Sequence, residues 1–369
     1  MPFWTFIWTA IVRIWTWLAD LLDDAISIVV LVCGGRDALQ QQSFDLADLK
    51  VIGKGQCGQI WTRVGSGLVI KTNNPGKEDQ LWNDCCMHQV IEEAIRMTNL
   101  HRVIRNPQFG YWARLTDGFW DDVPEDIKPD IEYRYGLVSS RIEPVTEGLR
   151  RDIVEAFAPS SAIKRTILAD PDNRDCLVRL YLGRREKGLD KQAFRLRNFD
   201  LSVNEMEELQ LNTSEFAIDM AITLAILHWS ARVDANDVEF VLDRNPILDM
   251  PASAMDCNNS NKDNAGFLCQ DITLGKRHNV MWLLDFDQCK RFTDDNAGVK
   301  QLMQSFYFND PYYPRPQAND INDVALWATF RDNYLQASGL LTDSLMPDRF
   351  IEAVEAEERR RRAGGSIFH

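Results

Sequence analysis

Residues 224–242 read LAILHWSARVDANDVEFVL, and their pattern changes twice within nineteen positions. Met220, Leu224 and Leu227 recur at helical spacing, a polar Asp234-Ala235-Asn236-Asp237 loop follows, and Val238 to Leu242 is an apolar, strand-like run. Asp234, Asp237, Glu239 and Asn236 therefore crowd one turn between a buried helix and a strand. Such a frame fixes carboxylates in space, which suits a metal ion or an abstracted proton better than it suits packing. A second apolar strand, Val280 to Leu284, ends in Asp285-Phe286-Asp287 and puts another acid at a strand end.

Working outward, the chain of 369 residues is 45% apolar, enough for one large or two medium domains with a core. Its formal charge of -14, from 55 acidic and 41 basic side chains, argues against wrapping nucleic acid and requires any phosphate site to be a local positive patch. The eight cysteines show no CxxC and no Cys/His spacing of a zinc site, so they read as reduced thiols of a cytoplasmic protein.

Upstream, residues 49–72 read LKVIGKGQCGQIWTRVGSGLVIKT and break into three short strands. Gly53, Gly55 and Gly58 form GxGxxG, a pattern shared by several nucleotide folds. In a dinucleotide fold the third glycine opens a helix, whereas here Gln59 to Arg63 is β-rich, Gly65-Ser66-Gly67 turns the chain and Leu68-Val69-Ile70-Lys71 is another strand. Strand, glycine loop, strand, turn and strand with lysine is an arrangement that resembles the nucleotide lobe of protein kinases. By that resemblance, the glycine loop would cover ATP phosphates and Lys71 would pair with them. Residues 81–97, LWNDCCMHQVIEEAIRM, form the next helix by periodicity. Asp84 is the first choice to orient Lys71, because the run L-x-N-acid-x-x-x-H resembles the corresponding helix of small-molecule kinases, with Glu92 and Glu93 as alternatives.

The same resemblance assigns the later acids. Asp234 matches the catalytic Asp, Glu239 the position of a metal-binding Asn, and Asp285 the metal-binding Asp of D-F-G, so that Asp285 and Glu239 would hold Mg²⁺ and Asp234 would accept a hydroxyl proton. Asn236 or Asp237 is the alternative second metal ligand. Departures are plain: Arg232-Val233 precedes the loop Asp, Glu replaces Asn at 239, Asp287 replaces glycine, and no A-P-E ending follows, which argues against protein substrates. More closely, LRNF at 196–199, HWSARVDANDVEFVL at 228–242, WLLDFDQC at 282–289 and FNDPYYPRP at 308–316 resemble a fungal family of uncharacterised kinase-like domains, some of whose members are labelled zinc-finger proteins. The expected fold is α+β and protein-kinase-like, with a small β-rich N-lobe and a helical C-lobe.

The rest of the chain fills this plan. Residues 1–35 are rich in tryptophan and leave only a thin polar stripe, as expected of a helix that lies in a membrane interface or packs on the body; an extension without structure is the alternative. Residues 36–48 read as a linker, 49–145 as the nucleotide region, 146–345 as the helical region and 346–369 as a final helix and tail. Segments 176–182 and 193–199 alternate as an antiparallel hairpin would, and Asn258 to Asn264 lie in a polar insertion. Asn309 to Pro316 form a stiff turn that lines a pocket or packs a lobe. Arg359 to Arg362 suit a helix C-terminus. Two functions stand open: a catalytically degenerate scaffold or regulatory module with a protein partner, of the kind found in fungal secondary metabolism, and an ATP- and Mg²⁺-dependent phosphotransferase for a small molecule.

Overall fold

The computed structural model describes residues 46–364, apart from 47, 99, 101–103, 115–117, 122, 126, 129–134, 187–193, 245–278 and 317. The helix expected over 1–35, most of the linker, the tip of the 176–199 turn and the polar insertion lie outside them. The described residues are mixed α+β, with two sheets and eight α-helices.

The first sheet is antiparallel. Strands β1 (Leu49–Lys54), β2 (Gly58–Arg63), β3 (Leu68–Asn73), β4 (Phe109–Ala113) and β5 (Gly136–Ser140) run in the order β1-β2-β3-β5-β4. Alternation along a strand sends successive side chains to opposite faces. Ile70 and Val138 thus join Leu49, Trp61 and Leu68 in a core on one face, while Leu137 packs on the other face against Leu81 and Cys85 of helix α1 (Glu78–Met97). Lys71, next to Ile70, is thereby directed away from the first core. At the tip of the β1–β2 hairpin a side chain on Gly58 would place a Cβ 2.1 Å from the Thr72 carbonyl oxygen, so only glycine lets β2 and β3 approach there.

Past β5 come helices α2 (Glu147–Phe157) and α3 (Ser161–Ala169), each opened by a side-chain cap, from Thr146 and Ser160. The second sheet contains β6 (Val178–Tyr181), β7 (Phe199–Ser202), β8 (Glu239–Arg244) and β9 (Asn279–Leu284) in the order β7-β6-β8-β9. Here the hairpin expected over 176–199 is corrected. Val178 to Tyr181 pair in parallel with Phe199 to Ser202, so residues 194–198 belong to a crossover and not to a strand. A parallel pair cannot be closed by a tight turn. Burial decides the outcome: Leu196 and Phe199 are drawn into the main core, and the Cys176 thiol donates to the Leu196 carbonyl at 2.9 Å.

Helix α4 (Val203–Glu208) begins with a capping box of Ser202 and Glu205. Helix α5 (Thr213–Ala225) packs against the long helix α7 (Ile321–Leu341), and its end loosens into a π-turn, Ile226–Ser230, closed by Ala231 N–H on the Ile226 carbonyl. There the His228 ring meets Tyr334 Oη at 2.8 Å and the Trp229 indole donates to Ser338 at 2.8 Å. Helices α6 (Asn296–Phe308) and α8 (Met346–Arg362) complete the body. The segment leading into β4 meets the second sheet where Leu283 N–H donates to the Arg105 carbonyl at 2.8 Å. Among the described residues no helix is long and apolar enough to cross a membrane.

Candidate functional site

A cleft of about 650 Å³ opens between the two sheets. The β1–β2 hairpin roofs it with Gly53, Gly55 and Gly58, and Ile52, Val69, Leu177 and Val241 give it apolar walls. The hairpin is held by Asn74, whose side-chain amide donates to the Gly55 and Gln56 carbonyls at 3.0 and 2.9 Å and whose N–H donates to the Cys57 carbonyl at 2.8 Å. Local sequence gave Asn74 no distinction, since its partners lie on the neighbouring hairpin.

Lys71 projects into the cleft and meets three carboxylates. Its Nζ lies 2.5 Å from Asp84, 2.8 Å from Asp285 and 3.8 Å from Asp287. Burial pulls the Lys71 ammonium down, but the carboxylates of Asp285, Asp84 and Asp287 outweigh it and hold the group well above its ordinary value. Asp285 is shifted up by burial against the pull of Lys71. Asp84 also accepts from Phe286 N–H at 3.2 Å, and its neighbour Asn83 donates to the Asp287 and Cys289 carbonyls at 2.9 and 3.0 Å. Helix α1 thus grips the whole 285–289 turn. Of the two alternative acids, Glu92 accepts from Phe109 N–H and Glu93 pairs with Arg96, and neither turns to Lys71.

The loop after the π-turn is arranged differently from the sequence expectation. Asp234 is 3% exposed and is not among the residues lining the cleft. Its carboxylate accepts from Asn236 N–H at 3.1 Å, Lys290 N–H at 2.9 Å and the Gln301 amide at 2.7 Å. Three donors, two on one oxygen and one on the other, hold it where it stands. Asp237 faces the cleft instead, with the Gln288 amide on its carboxylate. Burial, then the charges of Asp285 and Asp287, push its pKa up from 3.8 to about 6. Glu239 also lines the cleft, but Arg179 takes both of its oxygens, at 2.6 and 3.1 Å; burial still raises it to about 7. Its carboxylate is therefore not open to a cation without giving up the Arg179 fork.

Asn309 locks this loop, donating to the Ala235 carbonyl at 2.7 Å and accepting from Asp237 N–H at 2.6 Å. It belongs to FNDPYYPRP, a run legible in sequence only as a stiff turn. Arg232, Ala235, Asp237 and Asp285 all have positive φ, at 60°, 53°, 63° and 64°. Backbone strain of this kind, of order 1–3 kcal/mol per residue, persists where surrounding contacts enforce it and gathers at functional sites. The Cys57 thiol is driven up to about 12 by burial and by a hydrogen bond to the adjacent Asp287, which favours its protonated form.

A family model described as zinc finger protein matches residues 281–344. No curated protein matches the chain. The matched segment begins in β9, carries Asp285-Phe286-Asp287 and α6, and ends after α7. This corrects the assignment to a kinase-like family: the match carries the zinc-finger description and brings no kinase family with it. The zinc-finger label itself finds no ligands in the matched segment, which holds one cysteine, Cys289, and no histidine, where a structural zinc site takes four such ligands. Among the described residues no three His, Cys, Asp or Glu side chains are grouped as a preformed metal cage.

Proposed function

We propose that the two sheets form the lobes of a two-lobed fold like that of protein kinases, and that the cleft between them binds a magnesium complex of a nucleoside triphosphate such as ATP. The carrying observation is the convergence on Lys71 of Asp84 from α1 and Asp285 from the end of β9, beneath a hairpin in which Gly58 admits no side chain. Lys71 would orient the phosphates, and the backbone of Gly53, Gly55 and Gly58 would cover them. The apolar walls suit a base, and the cleft volume lies within the range of small-molecule sites. The donor set fits Mg²⁺, a hard cation that uses one or two carboxylates together with phosphate oxygens and needs no protein cage. Asp285 would hold the metal with Asp237 or Asp287, and the bound ion would neutralise phosphate charge. Asp237, placed in the cleft with a pKa near 6, is the group suited to accept a proton from a small-molecule hydroxyl.

A second reading, a catalytically degenerate scaffold or regulatory module with a protein partner, draws support from the saturated Asp234 and the Arg179-bound Glu239. A role beside fungal secondary metabolism belongs to that reading. Thermal melting with ATP, with and without Mg²⁺, tests nucleotide binding: MgATP should raise the Tm, and Asp285→Ala should abolish the rise. No shift with any purine or pyrimidine triphosphate would overturn it. Transfer of the γ-phosphate to an added small-molecule hydroxyl, lost in Asp237→Asn, separates the phosphotransferase from the scaffold.

A further inference from the structure

The acids around Lys71 outnumber what one ammonium can balance. With Lys71 counted as +1 and Asp84, Asp285 and Asp287 as −1 each, the cluster carries a formal charge of −2, and the three carboxylates stand within 3.8 Å of Nζ. Asp84 and Asp285 each have an evident task, since one orients the lysine and grips the turn and the other projects from the strand end. Asp287 has none of this kind. It is 5% exposed, it lines the cleft, and its Oδ1 accepts no hydrogen bond among the described residues. A buried carboxylate oxygen without a donor is costly, and a site that retains one has an acceptor waiting for a cation or a proton donor.

We propose that Asp287 makes this cleft selective for the divalent-cation complex of its phosphate ligand and excludes the metal-free anion. The inference rests on the nucleotide reading above and specifies which form of the ligand binds. A free triphosphate approaching Lys71 meets an ammonium already screened by three carboxylates, and like charges a few ångströms apart in a partly dry cleft repel strongly. A divalent cation reverses the sign of those contacts, because it attracts the Asp285 and Asp287 oxygens and the phosphate oxygens together. Asp287 is then a specificity residue that makes the ion obligatory. Removing its charge while keeping its size should let Lys71 take the metal-free anion.

Isothermal titration of ATP into the full chain, once in EDTA and once in excess MgCl₂, tests this with wild type, Asp287→Asn and Asp287→Ser. Melting curves without ligand establish that each variant is folded. Wild type should bind MgATP and leave metal-free ATP unbound. Both variants should bind metal-free ATP at least about tenfold more tightly than wild type does, as loss of one close like charge implies. If wild type binds MgATP and both variants still require the ion as strictly, Asp287 has no such role and the nucleotide reading stands. Equal wild-type affinity for the two forms also overturns the selectivity. A wild type that binds neither form removes the nucleotide reading, and this inference falls with it.

Discussion

Asp234 and Asp287 are both buried aspartates beside the same loop, at 3% and 5% exposure, yet their surroundings are opposite. Asp234 accepts three N–H donors and anchors its own loop, while Asp287 stands beside an ammonium it must share and keeps one oxygen without a donor. Burial therefore does not separate a carboxylate held by donors from one with an open oxygen. The supply of donors does, because a saturated carboxylate is locked and an unsaturated one is poised for a ligand.

The comparison breaks most readily at Asp234. Asp234→Ala removes three charge-assisted hydrogen bonds around a buried carboxylate and leaves a cavity in its place, and should cost about 3 kcal/mol in urea denaturation. A loss below about 1 kcal/mol would mean that the loop does not depend on it. Next in size, Asn309→Ala frees the Ala235 carbonyl and the Asp237 N–H and should destabilise the protein by about 2 kcal/mol. Its effect on MgATP affinity should exceed that of an equally destabilising change in the α5–α7 contact, since Asn309 also holds Asp237. At the small end, Asp287→Asn should leave stability unchanged or raise it, by less than about 1 kcal/mol, because it relieves repulsion within the acid cluster. A penalty matching that of Asp234→Ala would erase the distinction between the two aspartates.

Proton titration sharpens the contrast. Asp237 and Glu239 have folded pKa values of about 6 and about 7, raised from 3.8 and 4.5, so the native state holds their protons over a window in which the unfolded chain has lost them. Their effect is to lower stability as pH rises from about 4 through 7. His228 acts in the opposite direction. Burial, reinforced by Arg232, depresses it from 6.5 to about 3, so its contribution falls away as pH drops from about 6.5 towards 3. Melting curves of Asp237→Asn across pH 4–8 should lose part of the descending slope, and those of His228→Gln part of the ascending one. MgATP binding should strengthen as pH rises through about 6, where Asp237 ionises.

Much of this was legible from local pattern. The three strands of 49–73, the helix bearing Asp84, and the strands β8 and β9 follow from periodicity and glycine placement within a few residues, whereas β7 and α4 do not. Lys71 and the glycine hairpin are singled out by their resemblance to the nucleotide lobe of protein kinases. Asp234 and Asp237 could not be told apart, because their partners Lys290, Gln301, Gln288 and Asn309 come from 51 to 72 positions later in the chain. The fate of Glu239 was equally hidden, since Arg179 reaches it from a strand 60 residues earlier.

The sequence by itself determined where most of the helices and strands form and which residue types reach the ends of β8 and β9, since side-chain alternation and capping act over one or two turns. Tertiary structure alone decided that β6 and β7 run parallel, that Asp237 and not Asp234 faces the cleft, and that three carboxylates share one lysine. Those outcomes depend on which distant donors and charges arrive at each acid, and hydrogen bonds and Coulomb forces act through space without regard to separation along the chain.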